Sequence, residues 1–236
     1  MSYQMHTYSS VQKVREEAAA KLNSQLVNND ILLLLSGGSA LKLLDLIDQS
    51  LIGNKTTITV LDERYSTNVD ENNFSILSST PFYESTKERG ASFIDTRLKE
   101  KETIDELAAR FEHVLRNWKT AHPNGLMIAT QGIGPDGHTA GILPFPENPS
   151  YFAETFETTD RWVFGYDAEN KNQFPLRVTT TIPFLKLLDH SIVYVVGDDK
   201  KEVIQKAILA DAKLNEVPSS VIQQMKDVQL FTDQEI

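Results

Sequence analysis

The chain has 236 residues, with 23 Lys and Arg against 33 Asp and Glu, a formal net charge of −10. That balance argues against a nucleic-acid or anionic-membrane surface, each of which asks for a basic face to meet phosphates. Hydrophobic residues make up 40% of the chain, enough for a substantial core, and the absence of cysteine excludes disulfides, thiol catalysis and thiolate metal sites.

Val11, Val14, Ala18, Leu22 and Leu26 recur every three or four residues, which predicts an amphipathic helix over 9–27, with Ser9 and Gln12 as a capping box. The aliphatic run Ile31 to Leu35, stopped by Ser36-Gly37-Gly38-Ser39, suits a strand buried on both faces of a parallel sheet. Leu41, Leu44, Ile47 and Leu51 predict the next helix, and Thr57 to Leu61 a second strand, completing a βαβ unit. Ile104, Leu107, Ala108, Phe111, Leu115 and Trp118 form the stripe of a long helix opened by a Thr103/Glu106 capping box.

Further strands are expected at Leu126 to Ala129, around Trp162 to Phe164, at Arg177 to Thr180 and at Ile192 to Val196, the last followed by a helix carrying Val203, Ile204, Ala207 and Ile208. The order predicts an α/β fold with a largely parallel sheet flanked by helices, in a single domain spanning 1–236. The start, Met1-Ser2-Tyr3-Gln4-Met5-His6, has no basic segment leading into an apolar one. No aliphatic run approaches the roughly 20 residues of a membrane helix, so a cytoplasmic protein is expected.

In open α/β sheets ligands bind beyond the carboxyl ends of the strands. Here those ends carry Ser36-Gly37-Gly38-Ser39, then Asp62-Glu63-Arg64, then Gly132-Ile133-Gly134-Pro135-Asp136-Gly137-His138-Thr139, then Gly197-Asp198-Asp199-Lys200. All four are expected to converge on one edge of one sheet. The Gly37-Gly38 turn reads equally as an anion cradle of backbone N–H groups and as a tight turn needing glycine. Asp136-Gly137-His138 suits a general base with a carboxylate orienting its ring, or a turn with an incidental histidine. Arg64 can hold a phosphate or an oxyanion, or pair with neighbouring acids, and pairing is the expectation for Glu63. Lys200 and Lys201 open a helix where the dipole disfavours lysine, which an anionic ligand would explain, as would simple solvation.

His6, His113, His122 and His190 are expected on helix faces, helix ends or a terminus, with no pair at metal-ligand spacing. Neither a dinucleotide fingerprint nor a nucleotide-phosphate loop is present.

These motifs, together with Leu176-Arg177-Val178-Thr179-Thr180-Thr181-Ile182-Pro183 and the tail Val217 to Gln223, resemble those of the 6-phosphogluconolactonase family. The likeness runs in order from about residue 10 to residue 235 and is weak at 79–100 and 145–172. It implies a Rossmann-like fold and hydrolysis of a phosphosugar lactone, 6-phosphoglucono-δ-lactone, in the oxidative pentose phosphate pathway, with no metal or organic cofactor; the charge balance and hydropathy above already speak against a nucleic-acid or membrane partner. It further implies His138 as the base activating water, with Asp62 and Asp136 at the reacting end. Arg64 would bind substrate or the oxyanion, and Gly37, Gly38, Ser39, Arg177 and Lys200 would hold the phosphate.

Two departures stand out. After Ala140 the chain reads Gly141-Ile142-Leu143-Pro144 where the family has Ser-Leu-Phe-Pro-Gly, and residues 57–61 lack a tryptophan often found there. The sibling activity, glucosamine-6-phosphate deamination, goes with a glutamate five residues after the histidine and a tyrosine at the Arg64 position; this chain has Leu143 and Arg64. A non-catalytic sugar-phosphate-sensing domain on the same fold is the third alternative.

Overall fold

A computed structural model describes residues 3–27 and 29–236; in the amino-terminal reading, Met1 and Ser2 lie outside the described residues. The chain runs β1 (Tyr3–Thr7), α1 (Val11–Gln25), β2 (Ile31–Leu35), a 3₁₀ helix (Gly38–Leu46), β3 (Thr56–Val60), β4 (Asp62–Arg64), α2 (Asn73–Ser78), α3 (Pro81–Glu88), β5 (Ser92–Phe93), α4 (Ile104–Ala121) and β6 (Leu126–Gln131). It continues through α5 (Pro149–Phe152), β7 (Val163–Asp167), β8 (Leu176–Thr180), α6 (Ile182–Leu185), β9 (His190–Val195), α7 (Lys201–Ile208) and β10 (Val228–Thr232).

Seven strands form one sheet in the order β1-β10-β9-β6-β2-β3-β5, and every pairing in it is parallel. The aliphatic run at β2 explains its central place. Strand alternation sends Leu32 and Leu34 into one core and Ile31, Leu33 and Leu35 into the other, and all five are buried. Helix α1 covers the second core with Val14, Ala18 and Leu22, while α4 covers the first with Leu107, Phe111 and Leu115. Burying a side chain such as Phe111 stabilises the fold by about 1.5–3 kcal/mol relative to leaving it exposed. The Thr103/Glu106 capping box is present: Thr103 N donates to Glu106 at 2.8 Å, and Glu106 N to Thr103 at 3.2 Å. At α1 the cap is Ser10 rather than Ser9, accepting from Lys13 N at 3.2 Å.

Three expectations change. The helix expected at Leu41 to Leu51 is a 3₁₀ helix ending at Leu46, followed by a separate short turn at Gln49–Leu51. Asp48 divides them, because its carboxylate takes both the amide and the hydroxyl of Ser50, a local alternative to continuing the helix. The strands near 162–164 and 177–180 do not join the central sheet but form a second, antiparallel sheet, β4-β8-β7. Finally, His190 opens strand β9, bonded to Asp227 at 2.8 Å, and is not on a helix.

Leu61 is where the chain passes between sheets. Its N–H donates to Leu35 O in the central sheet (2.9 Å), and its carbonyl accepts from Thr180 N in the second (3.2 Å). Asp62 and Arg64 are thereby carried out of the central sheet, and the cavity lies between two sheets rather than along one edge. Among the described residues no helix is long and apolar enough to cross a membrane.

Candidate active site

A cavity of about 370 Å³ opens beyond the carboxyl ends of β2, β6 and β9. Its wall includes Gly37, Gly38, Ser39, Asp62, Arg64, His138, Arg177 and Lys200, so the structure brings together all the expected site residues except Asp136, which reaches the cavity through His138.

The β6 carboxyl end leads into the Gly132–Thr139 loop, which closes on itself. Gly134 N donates to His138 O, Gly137 N to Gly134 O, and Thr139 Oγ1 to Gly132 O, each at 2.9 Å. The tail steadies it from outside, with Ser219 N donating to Gly137 O at 2.9 Å. His138 Nδ1 lies 2.5 Å from Asp136 Oδ1. An ionised carboxylate only accepts, so Nδ1 carries a proton, and whenever the ring is neutral Nε2 is its acceptor. Burial raises the Asp136 carboxyl, but the hydrogen bond and charge of His138 outweigh it and hold the group below the ordinary carboxylate range. Asp136, not Asp62, orients the ring.

Gly134 makes room for that ring. A Cβ there would overlap His138 Nδ1 and lie 2.7 Å from Asp136 Oδ1. Gly134→Ala is therefore expected to push the imidazole aside and lower kcat of the proposed reaction by about 10²-fold, the cost of a 1 Å misplacement. Steady-state kinetics beside circular dichroism of the folded variant would check this; full activity would rule out the ring position described here.

Asp62 and Arg177 form a pair, Nη1 to Oδ2 3.4 Å, with side chains 8% and 4% exposed. Arg177 also donates from Nε to Phe174 O (3.1 Å) and from Nη2 to Asn172 Oδ1 (3.0 Å). It thus holds the β7–β8 hairpin tip against the cavity besides lining it. Arg64 donates to Glu71 O at 3.0 Å and lies over the Phe174 ring at 5.0 Å. Lys200 Nζ is 3.5 Å from Asp199, on the turn before α7. Gly38 has φ +65, as a tight turn requires, and the same turn faces the cavity.

Glu63 departs from its expected ion pair. Wholly buried, it accepts from Asn73 N (2.6 Å), Arg64 N (2.8 Å), Phe74 N (3.0 Å) and Thr96 Oγ1 (2.8 Å). Burial pushes its carboxyl up to about 7, against these four bonds. From an ordinary 4.5, the unfolded chain releases this proton well before the folded one. The contribution is full below pH 4.5 and lost as pH rises through 7, a fall of about 3 kcal/mol that Glu63→Gln should abolish. Urea unfolding of both proteins across that range measures the difference.

Asn73, Asn172, Gln173 and Phe174 also line the cavity, and the motif reading did not single them out. The Asn72-Asn73 pair before an apolar run carried a helix-cap signal; the hairpin tip carried none. His6, His113, His122 and His190 lie outside the cavity wall.

Three solved or curated relatives bear on this arrangement. The 6-phosphogluconolactonase from Plasmodium vivax superposes with a TM-score of 0.76 at 16% identity, covering 99% of this chain and 91% of that one. One from Shewanella baltica OS155 gives 0.72 at 21% identity, covering 97% and 96%. At these identities the likeness speaks to the fold. The rice (Oryza sativa subsp. indica) protein named "Probable 6-phosphogluconolactonase 2" is 28% identical over 128 residues, 50% of this chain and 43% of that protein. The chain thus spans less than half the length of that curated relative. Residues 6–231 match the family described as glucosamine-6-phosphate isomerases/6-phosphogluconolactonase, and the chain belongs to that family.

Proposed function

We propose that the chain opens 6-phospho-D-glucono-1,5-lactone to 6-phosphogluconate. The observation that carries this reading is the His138–Asp136 dyad, at 2.5 Å, facing a cavity walled by Arg64, Arg177 and Lys200. A δ-lactone is an activated ester, so a positioned water, a base and a cationic oxyanion partner suffice. His138 Nε2 takes a proton from water as the water oxygen bonds to the lactone carbonyl carbon. The carbonyl electrons move to its oxygen, held by Arg64. Collapse breaks the bond to the ring oxygen, which takes the proton from His138.

Gly37, Gly38 and Ser39, with Arg177 and Lys200, hold the phosphate, so binding energy remote from the carbonyl positions the reacting end. These cations gather at one cavity of a chain whose net charge is −10, so the local potential there opposes the global sign.

Leu143, where the deaminase has its glutamate, is wholly buried, which favours lactone hydrolysis over ring-opening deamination. The test generates fresh lactone with glucose-6-phosphate dehydrogenase and follows its decay with the purified chain. Decay faster than spontaneous hydrolysis is expected. No acceleration, with ammonia released from glucosamine 6-phosphate, would assign the sibling activity; neither reaction, with tight 6-phosphogluconate binding, would assign a sensing module.

A further inference from the structure

Glu63 lies between two cavity residues, but strand alternation turns its side chain away from the cavity that Asp62 and Arg64 line. The buried carboxylate has no part in the chemistry above, and among the described residues it has no ion-pair partner. All four of its hydrogen bonds come from three short segments. Oε1 takes the amides of Arg64 and Asn73, while Oε2 takes the amide of Phe74 and the Thr96 hydroxyl.

Asn73 and Phe74 are the first two residues of α2, and Asn73 also reaches the cavity. Its Nδ2 donates to Asp62 O at 2.9 Å, and its Oδ1 lies 2.6 Å from where a Cβ on Gly37 would sit. The loop between Arg64 and Asn73 is closed a second time by Arg64 Nη1 donating to Glu71 O. Remove the carboxylate, and the start of this loop is tied to its end by that bond, by the Asn73–Asp62 bond and by Ser66 Oγ donating to Glu71 Oε2 at 2.8 Å, none of which holds the Arg64 and Phe74 amides.

We propose that Glu63 is a positioning residue: its buried carboxylate clamps the first turn of α2 and the Arg64 amide together, and so sets Arg64 and Asn73 in the cavity wall. A buried carboxylate with no ion pair is a costly way to fill a core position, where an apolar side chain of like size serves better. It has a use here in holding the four donors it gathers in one arrangement. Burial also pushes the group up to about 7, consistent with a charge kept at some expense to folding. The proposal deepens the functional reading above and rests on it for its kinetic arm only.

Glu63→Gln keeps the shape but leaves one acceptor oxygen, so an amide group faces the Phe74 N–H and the Thr96 hydroxyl. At pH 8, hydrogen exchange of the Arg64, Asn73 and Phe74 amides should accelerate about 10-fold, while β2 and β6 amides keep their protection. kcat/KM for the lactone should fall about 10-fold, through kcat because Arg64 holds the oxyanion and through KM because Asn73 also shifts in the cavity wall. Resistance to urea should be kept or increased, because a buried charge is gone.

Thr96→Val removes one donor without touching the cavity and should move exchange and kcat/KM the same way, by about 2- to 3-fold. It carries the test if Glu63→Gln does not fold. A parallel fall of stability and activity, an unchanged kcat/KM, or unchanged exchange at the three amides overturns the proposal. If the wild-type chain hydrolyses no lactone, the functional reading fails separately, and the amides alone then decide: acceleration supports the clamp and unchanged protection overturns it.

Discussion

His138→Ala is expected to lower kcat for lactone hydrolysis by about 10²- to 10⁴-fold, the range general-base catalysis contributes. Binding of 6-phosphogluconate, measured by calorimetry, should stay within a few-fold of wild type. The separation follows from geometry. The imidazole stands on the β6 loop, with Nδ1 engaged by Asp136, whereas the cations proposed to hold the phosphate come from β8 and the turn before α7. Removing the ring takes away the base and leaves the anchor. At 29% exposure the side chain is not a core element, so the variant should unfold at nearly the wild-type urea concentration. Undiminished kcat would remove His138 from the mechanism and leave the cavity as a binding site.

The second large effect concerns stability. Asp62→Ala strips a guanidinium that is 4% exposed of its one ionic partner among the described residues, and breaking such a pair from one side costs about 3–5 kcal/mol. The loss should not be offset from nearby, because Arg177's remaining bonds go to a carbonyl and an amide oxygen, which carry no charge. Asp62→Asn keeps an acceptor in the same place and should cost less. Urea midpoints at unchanged m-value measure both. If Asp62→Ala unfolds with the wild-type midpoint, the pair at 3.4 Å contributes nothing to folding, and Arg177 is held by the hairpin tip alone. Hairpin residues Asn172 and Phe174 should show faster amide exchange in the Ala variant, since Arg177 connects them to β4.

The local signals held up because each is decided within a few residues. An aliphatic run with no polar position has to be buried on both faces, and β2 is. A threonine three residues before a glutamate satisfies two orphan N–H groups wherever it occurs, and α4 begins there. The Asp136-Gly137-His138 spacing, with glycines on either side, lets a carboxylate meet an imidazole two residues on, and that contact is made. Ser9 against Ser10 as the cap of α1 is a difference of one position between equivalent side chains, which local pattern does not resolve.

What the sequence determined by itself was the α/β layering, the strand-end loops that wall the cavity, and the histidine with its carboxylate. Each of these depends on periodicity or on partners a few positions apart. Only the tertiary structure decided that Asp62 and Arg64 leave the parallel sheet for an antiparallel one, that Asp62 meets Arg177 across 115 positions, and that Glu63 gathers amides from α2 and a hydroxyl from Thr96. Those contacts join segments far apart in the chain. Whether a carboxylate between two site residues becomes a surface ion or a buried clamp is settled by which donors long-range packing brings to it.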